Sequence, residues 1–177
     1  GSFVDVSDDE LIIVANRLPV EAVTDPDGNI SWNVSPGGLV AAVEPSLKGR
    51  QGVWIGWNGH YQDPSEPAMP PIPETAEGRD YRIVEVPLDK SDVEQYYDGF
   101  SNSALWPLYH DAIATPTYHR HQFDAYRRVN MLFAQAAARA AAPGATVWIH
   151  DYQLQLVPAM LRSLRPDLRI GFFLHIP

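Results

Sequence analysis

The chain has 177 residues, 45% of them hydrophobic, no cysteine and a formal net charge of −9. That length and composition are enough for one substantial core, and the missing cysteines exclude disulfides and thiolate metal sites and fit a reducing, cytoplasmic setting. Without lysine clusters the chain lacks the electrostatic footprint of nucleic-acid binding, and no apolar run nears the ~20 residues of a membrane helix, which leaves a small-molecule ligand.

Residues 1–10 carry Asp5, Asp8, Asp9 and Glu10 and read as a solvated acidic arm; residues 11–177 read as the folded domain. "LIIVA" (11–15) is short and β-branched, as suits a strand covered on both faces, and it ends at Asn16-Arg17. "EAVTDPDGNISWNV" reads as a hairpin around Asp27-Gly28. Its glycine is misplaced for a calcium loop. "PGGLVAAVEPSLKG" predicts a glycine turn, a helix that Pro45 shortens or kinks, and a glycine stop.

"VWIGW" (53–57) is a second buried strand, and the proline-rich stretch from His60 to Gly78 a surface loop. "YRIVEVPL" predicts a further strand. Ser91 and Glu94 match a capping box that starts one helix through "SDVEQYYDGF", with a second through "SALWPLYH". Phe123, Tyr126, Val129, Phe133, Ala136 and Ala140 recur at helical spacing, and Pro143-Gly144 ends that amphipathic helix. "TVWIHD" is a strand, "VPAMLRSLR" a helix with Pro158 in its first turn, and "RIGFFLHIP" a last strand. Alternating strands and helices predict an α/β fold, a mostly parallel Rossmann-like sheet with helices on both faces.

Four of the apolar runs finish in polar or small residues, at Asn16-Arg17, Gly56-Trp57-Asn58, His150-Asp151 and His175. In an open parallel sheet these carboxyl ends share one edge, outside which ligands bind. Each residue has a plainer reading. Asp151 suits a helix N-cap as well as a ligand contact, His150 a turn, Arg17 an ordinary ion pair, and Gly37-Gly38 a tight turn as well as an anion site at a helix start. Trp54, Trp57 and Trp106 suit a core or a sugar face, and Tyr96-Tyr97 point to different faces, so that one phenol at most reaches a ligand. His119 and His121 flank Arg120 without completing a metal coordination set. No dinucleotide or P-loop glycine motif is present.

The motifs "ANRLP", "GGLVAAVEP", "VWIGWNG", "YYDGFSNSALWPLYH", "YRRVN", "VWIHDYQL" and "RIGFFLHIP" occur in the order seen in the trehalose-6-phosphate synthase family. The chain resembles the N-terminal part of that family from Leu11 to Pro177. The resemblance implies a two-domain GT-B glycosyltransferase whose second, nucleotide-sugar domain lies outside this chain. It implies transfer of glucose from UDP-, ADP- or GDP-glucose to glucose 6-phosphate, with retention and without a metal or other cofactor. It also implies roles: Arg17, Tyr97 and Trp106 on the acceptor phosphate, Asp151 and Trp57 on the acceptor sugar, His175 on the donor glucose, and Gly37-Gly38 beside the donor phosphates. Asp151 and His175 are the implied catalytic residues. Gln153 departs from the histidine that many members carry after "HDY", and removes a group that titrates near neutrality. A glucosylglycerol-phosphate synthase and a non-catalytic sugar-phosphate sensor are the alternative readings. Oligomeric state, a homo-oligomer included, is left open by the sequence.

Overall fold

From Leu11 to Ala15 the chain offers only apolar side chains, and all five are buried at 0–1% exposure. A strand can be buried so completely only if a layer covers each of its faces. The computed structural model describes residues 10–61, 63–109 and 119–175 and gives that strand both layers. In chain order the elements are β1 (Leu11–Arg17), β2 (Val20–Thr24), β3 (Ile30–Val34), α1 (Gly38–Leu47), β4 (Gly52–Trp57), β5 (Arg82–Glu85) and α2 (Lys90–Asp92). A π-helix (Val93–Leu105), α3 (Trp106–Tyr109), α4 (Arg120–Ala140), β6 (Thr146–His150), a 3-10 turn (Tyr152–Leu154), α5 (Val157–Leu164) and β7 (Arg169–Phe173) follow.

Five strands form one parallel sheet in the order β5-β4-β1-β6-β7, and β2 and β3 pair separately as the expected antiparallel hairpin. Side chains of β1 alternate between two cores, as the pleat requires. Ile12 and Val14 join Val53, Ile55, Val147 and Ile149 against Tyr126, Val129, Phe133 and Ala137 of α4. Leu11, Ile13 and Trp54 instead pack with Val40, Val43 and Leu47 of α1. From β1 the chain builds outward through β4 and β5, then returns through α4 to β6 on the other flank of β1. The carboxyl ends of β1 and β6 therefore bound a topological switch point, where open α/β sheets place their ligands.

Four local expectations are corrected. Glu10 is buried rather than solvated: its carboxylate accepts from Ala142 N at 3.1 Å and its carbonyl from Thr146 N at 3.0 Å. The capping box is formed by Asp89 and Asp92, not Ser91 and Glu94; Asp89 accepts from Asp92 N at 2.8 Å and Asp92 from Asp89 N at 3.2 Å. The two helices expected over residues 91–110 are one continuous helical run from Lys90 to Tyr109 with π geometry in its middle. The strand expected at 81–88 holds only over Arg82–Glu85, since Pro87 has no N–H to continue the ladder. The rings of His119 and His121 lie 5.6 Å apart with their planes tilted by 30°. Among the described residues, no three His, Asp or Glu side chains converge as a metal site would need, and no helix is long and apolar enough to cross a membrane.

Candidate functional site

The rim is built from the end of β1. Asn16 continues the row of Ile12 and Val14, and its Oδ1 accepts from Tyr96 Oη at 2.6 Å, both residues being buried. Tyr96 is thus consumed by the core. Tyr97, the next residue of the π-helix, is half-buried and meets Trp57 edge-on at 5.6 Å. A π-helix closes its bonds from residue i to i+5, and such stretches gather at functional sites.

The backbone of Arg17 is fixed on three sides. Trp54 Nε1 donates to its carbonyl at 3.0 Å, Leu18 N donates to Trp57 O at 2.8 Å, and Gly56 presses so closely that a Cβ there would sit 2.7 Å from Arg17 C. Its guanidinium lies 5.6 Å from the centroid of Trp57, within cation–π range. Gly59 makes that position available. It has φ +88°, and a Cβ on it would come within 2.4 Å of Arg17 Nη2. Among the described residues no carboxylate pairs with Arg17, which leaves an exposed, pre-positioned cation bordered by a phenol.

The second side of the rim follows β6. Asp151 adopts φ 76° and ψ 171°, a conformation that glycine tolerates and other residues adopt at a cost of about 1–3 kcal/mol. Three bonds hold it: Asp151 N donates to Phe173 O at 2.8 Å, its carbonyl accepts from Leu154 N at 3.2 Å, and its Oδ1 accepts from Tyr152 N at 3.1 Å, capping the 3-10 turn. Tyr152 Oη donates to Asn102 Oδ1 at 2.9 Å, and its ring lies 5.3 Å from Trp106, which is 38% exposed. Burial, with the neighbouring Tyr97 and Asp151, pushes the Tyr152 phenol up to about 12. Tyr152 thus meets Asp151 through its backbone N–H and Trp106 through its ring.

Behind this turn stands Asn130, fully buried on α4. Its Nδ2 donates to Tyr126 O at 2.8 Å and to Gln153 O at 3.1 Å, and its Oδ1 accepts from Leu156 N at 3.2 Å. Tyr126 Oη donates to Tyr152 O at 2.7 Å and accepts from Gln155 N at 3.1 Å. Gln153, the departure noted in the sequence, is anchored through its backbone.

His150 is 3% exposed, and its Nδ1 lies 3.0 Å from Nε2 of the exposed His175, with the two ring planes 17° apart and their centroids 5.3 Å apart. Burial, then the neighbouring His175, lowers its pKa from 6.5 to about 4. Between those values the unfolded chain binds a proton here that the folded chain refuses. Stability from His150 is therefore complete above about pH 6.5 and is lost as the pH falls toward about 4. Thermal unfolding followed over that range should show this loss, and a His150→Phe chain should lose less; equal pH dependence in both would exonerate His150.

The glycine pair behaves differently. Gly37 is the N-cap of α1 with φ −62° and ψ 151°, and Gly38 starts the helix. A Cβ on Gly38 would meet nothing within 4 Å, and one on Gly37 only Ser35 Oγ at 3.4 Å. The fold itself does not demand glycine there. Ser35 N donates to Pro19 O at 2.7 Å, tying the segment to the turn after Arg17.

The structure thus places Trp57 between Arg17 and Tyr97, brings Asp151 and Trp106 together through Tyr152, and pairs His175 with His150. Gly59, Asn130 and Tyr152 had no role in the sequence reading, and Asn16 only its place at a strand end. All four lie in quoted motifs, "VWIGWNG", "YRRVN", "VWIHDYQL" and "ANRLP", but only the three-dimensional contacts expose their work.

A cation, an indole and a phenol thus stand in a row at the switch point of a parallel, Rossmann-like sheet. The family pattern of glycosyltransferase family 20 matches residues 9–177, and the chain belongs to that family. It is 57% identical over 168 residues to the trehalose-6-phosphate synthase of Mycolicibacterium gilvum, covering 95% of this chain and 33% of that protein. Identity with the Mycobacterium tuberculosis trehalose-6-phosphate synthase is 55% over 170 residues, covering 96% of this chain and 34% of that protein. The structure of a UDP-forming synthase from Burkholderia xenovorans in complex with glucose-6-phosphate matches with a TM-score of 0.72 at 35% identity, over 95% of this chain and 34% of that one. The E. coli structure bound with UDP-2-fluoro glucose matches with a TM-score of 0.73 at 31% identity, over 95% of this chain and 33% of that one. The chain spans about a third of the length of the curated relatives it matches.

Proposed function

We propose that this chain is the acceptor-binding part of an α,α-trehalose-phosphate synthase, which moves glucose from a nucleotide-glucose to glucose 6-phosphate with retention and forms trehalose 6-phosphate. The observation that carries the reading is Arg17: a cation without a carboxylate partner among the described residues, held over Trp57 beside Tyr97. A guanidinium fork matches phosphate geometry, and a phenol adds a neutral donor. Trp106 completes the phosphate side in this reading, Trp57 and Asp151 line the acceptor sugar, and His175 meets the donor glucose. Gly37 and Gly38, whose missing side chains the fold does not require, leave room for the donor phosphates.

The chemistry assigned to these residues is orientation and charge stabilisation, with no covalent intermediate on the protein. The leaving phosphate assists removal of the acceptor hydroxyl proton, and the transfer uses no metal or other cofactor. Turnover belongs to a chain completed by the remainder that its relatives carry. A cytoplasmic setting agrees with the absence of cysteine.

Ligand-observed NMR titration with glucose 6-phosphate tests the acceptor site, with glucose and glycerol 3-phosphate as competitors. Selective binding of glucose 6-phosphate is expected, and equal response to all three would refute the reading. Asp151→Asn should leave phosphate affinity near the wild-type value and lower transfer in the completed chain; equal losses in both would contradict the division of roles between Arg17 and Asp151.

A further inference from the structure

The contact between His150 and His175 has a direction that the surroundings determine. His150 Nδ1 and His175 Nε2 are 3.0 Å apart, so one nitrogen carries the shared proton and the other accepts it. His150 Nε2 is buried and has no hydrogen-bond partner among the described residues. If His175 donated, the neutral His150 ring would carry its own proton on that buried Nε2, leaving an N–H without an acceptor. If His150 donates through Nδ1, the buried Nε2 is only an unused lone pair. Orphaned buried N–H groups are the rarer and costlier of the two defects. The side chain is also well placed to hold one state: it is 3% exposed, with Phe173 stacked on its ring at 5.2 Å and the His175 ring nearly parallel to it, centroids 5.3 Å apart.

We propose that His150 is a positioning residue that donates its Nδ1–H to His175 Nε2, fixing the exposed His175 as the Nδ1–H tautomer. His175 then has one polar atom left, and that atom is a donor. It can give a hydrogen bond to an oxygen of a bound sugar, and it cannot act as a base through either nitrogen while the pair is intact. Depression of the His150 pKa by burial keeps the donor ring neutral at physiological pH. A carbonyl or carboxylate fixes the tautomer of many functional histidines from behind; here a second histidine does so. The tautomer follows from the pair alone. Its use against a donor sugar rests on the transferase reading.

Long-range 1H–15N correlation of 15N-histidine-labelled chain near neutral pH tests the tautomer. Both His150 and His175 should show a protonated Nδ1 and a bare Nε2, opposite to the form that free histidine prefers. His150→Asn keeps an N–H near the Nδ1 position and should leave His175 unchanged, whereas His150→Leu should return it to the Nε2–H form. A wild-type His175 protonated at Nε2 overturns the proposal even if the leucine variant fails to fold, and so does an unchanged His175 in a folded leucine variant. In the completed chain, His150→Leu should lower kcat roughly tenfold or more with little change in the KM for glucose 6-phosphate, and His150→Asn should restore most of it. Correct tautomers with no kcat effect in an active enzyme would overturn the catalytic use of the pair. Correct tautomers in a completed chain that transfers no glucose would instead count against the transferase reading.

Discussion

Replacing Arg17 with alanine should weaken glucose 6-phosphate binding by roughly 1.5–3 kcal/mol, about ten- to a hundredfold in Kd, while the chain stays folded. The stabilising contacts of Arg17 are made by its backbone, through Trp54 Nε1, the Leu18–Trp57 bond and the close approach of Gly56, and alanine preserves them. The guanidinium is exposed and rests on Trp57, so its removal leaves no buried group without a partner. Lysine at 17 should recover only part of the loss, because an ammonium supplies a point charge in place of a planar fork. Gly59→Ala gives an independent approach with Arg17 still present: the new Cβ would lie 2.4 Å from Nη2 and drive the guanidinium off the indole. Calorimetric titration should show weakened binding in both variants. Unchanged affinity in a folded Arg17→Ala chain would remove Arg17 from the site.

Asn130→Leu should cost about 3 kcal/mol of stability, seen as a fall of roughly 6–12 °C in Tm. The side chains are similar in size, so the loss comes from hydrogen bonding rather than from a cavity. Leucine strands Leu156 N and Gln153 O, whose partners are the amide of the fully buried Asn130. Unsatisfied buried groups cost about 1–3 kcal/mol each. The same two bonds hold the turn that carries Asp151, so amide exchange at Leu156 should quicken before the chain unfolds globally. A leucine variant as stable as the wild type would show that the 152–156 turn is held by other means, such as the bonds of Tyr126.

The sheet was legible because burial on both faces leaves a plain mark. "LIIVA", "VWIGW" and "TVWIH" are apolar over their whole length, and the strand-helix alternation leaves little freedom in how they connect. The rim could be located for the same reason: Arg17, Trp57 and His150-Asp151 end those runs. The motif resemblance then supplied roles for Tyr97 and Trp106 that spacing did not. What escaped was set by long-range geometry. The π-helix over Val93–Leu105 has no signature at 3.6-residue spacing, because an i to i+5 ladder shifts the faces. Glu10 looked like the end of an acidic arm, and only the contacts with Ala142 and Thr146 show its carboxylate serving the far end of the domain. Asp151 gave no sign of its left-handed backbone, since aspartate at a strand end usually caps a helix without strain.

The central place of β1 has a consequence in time. Leu11 has its neighbours at Gly52 on one side and Thr146 on the other. At 5–20 residues per second, a ribosome delivers Thr146 roughly 7–27 s after Leu11. For that interval the most apolar segment of the domain is made but lacks its second neighbour and the α4 layer that covers Ile12 and Val14. Parallel pairings of such long sequence separation also form slowly once the chain is free. The newborn strand therefore passes its first seconds as a sticky, half-paired ribbon, and yields of folded protein should rise when synthesis is slowed by cooling or when a chaperone shelters that strand.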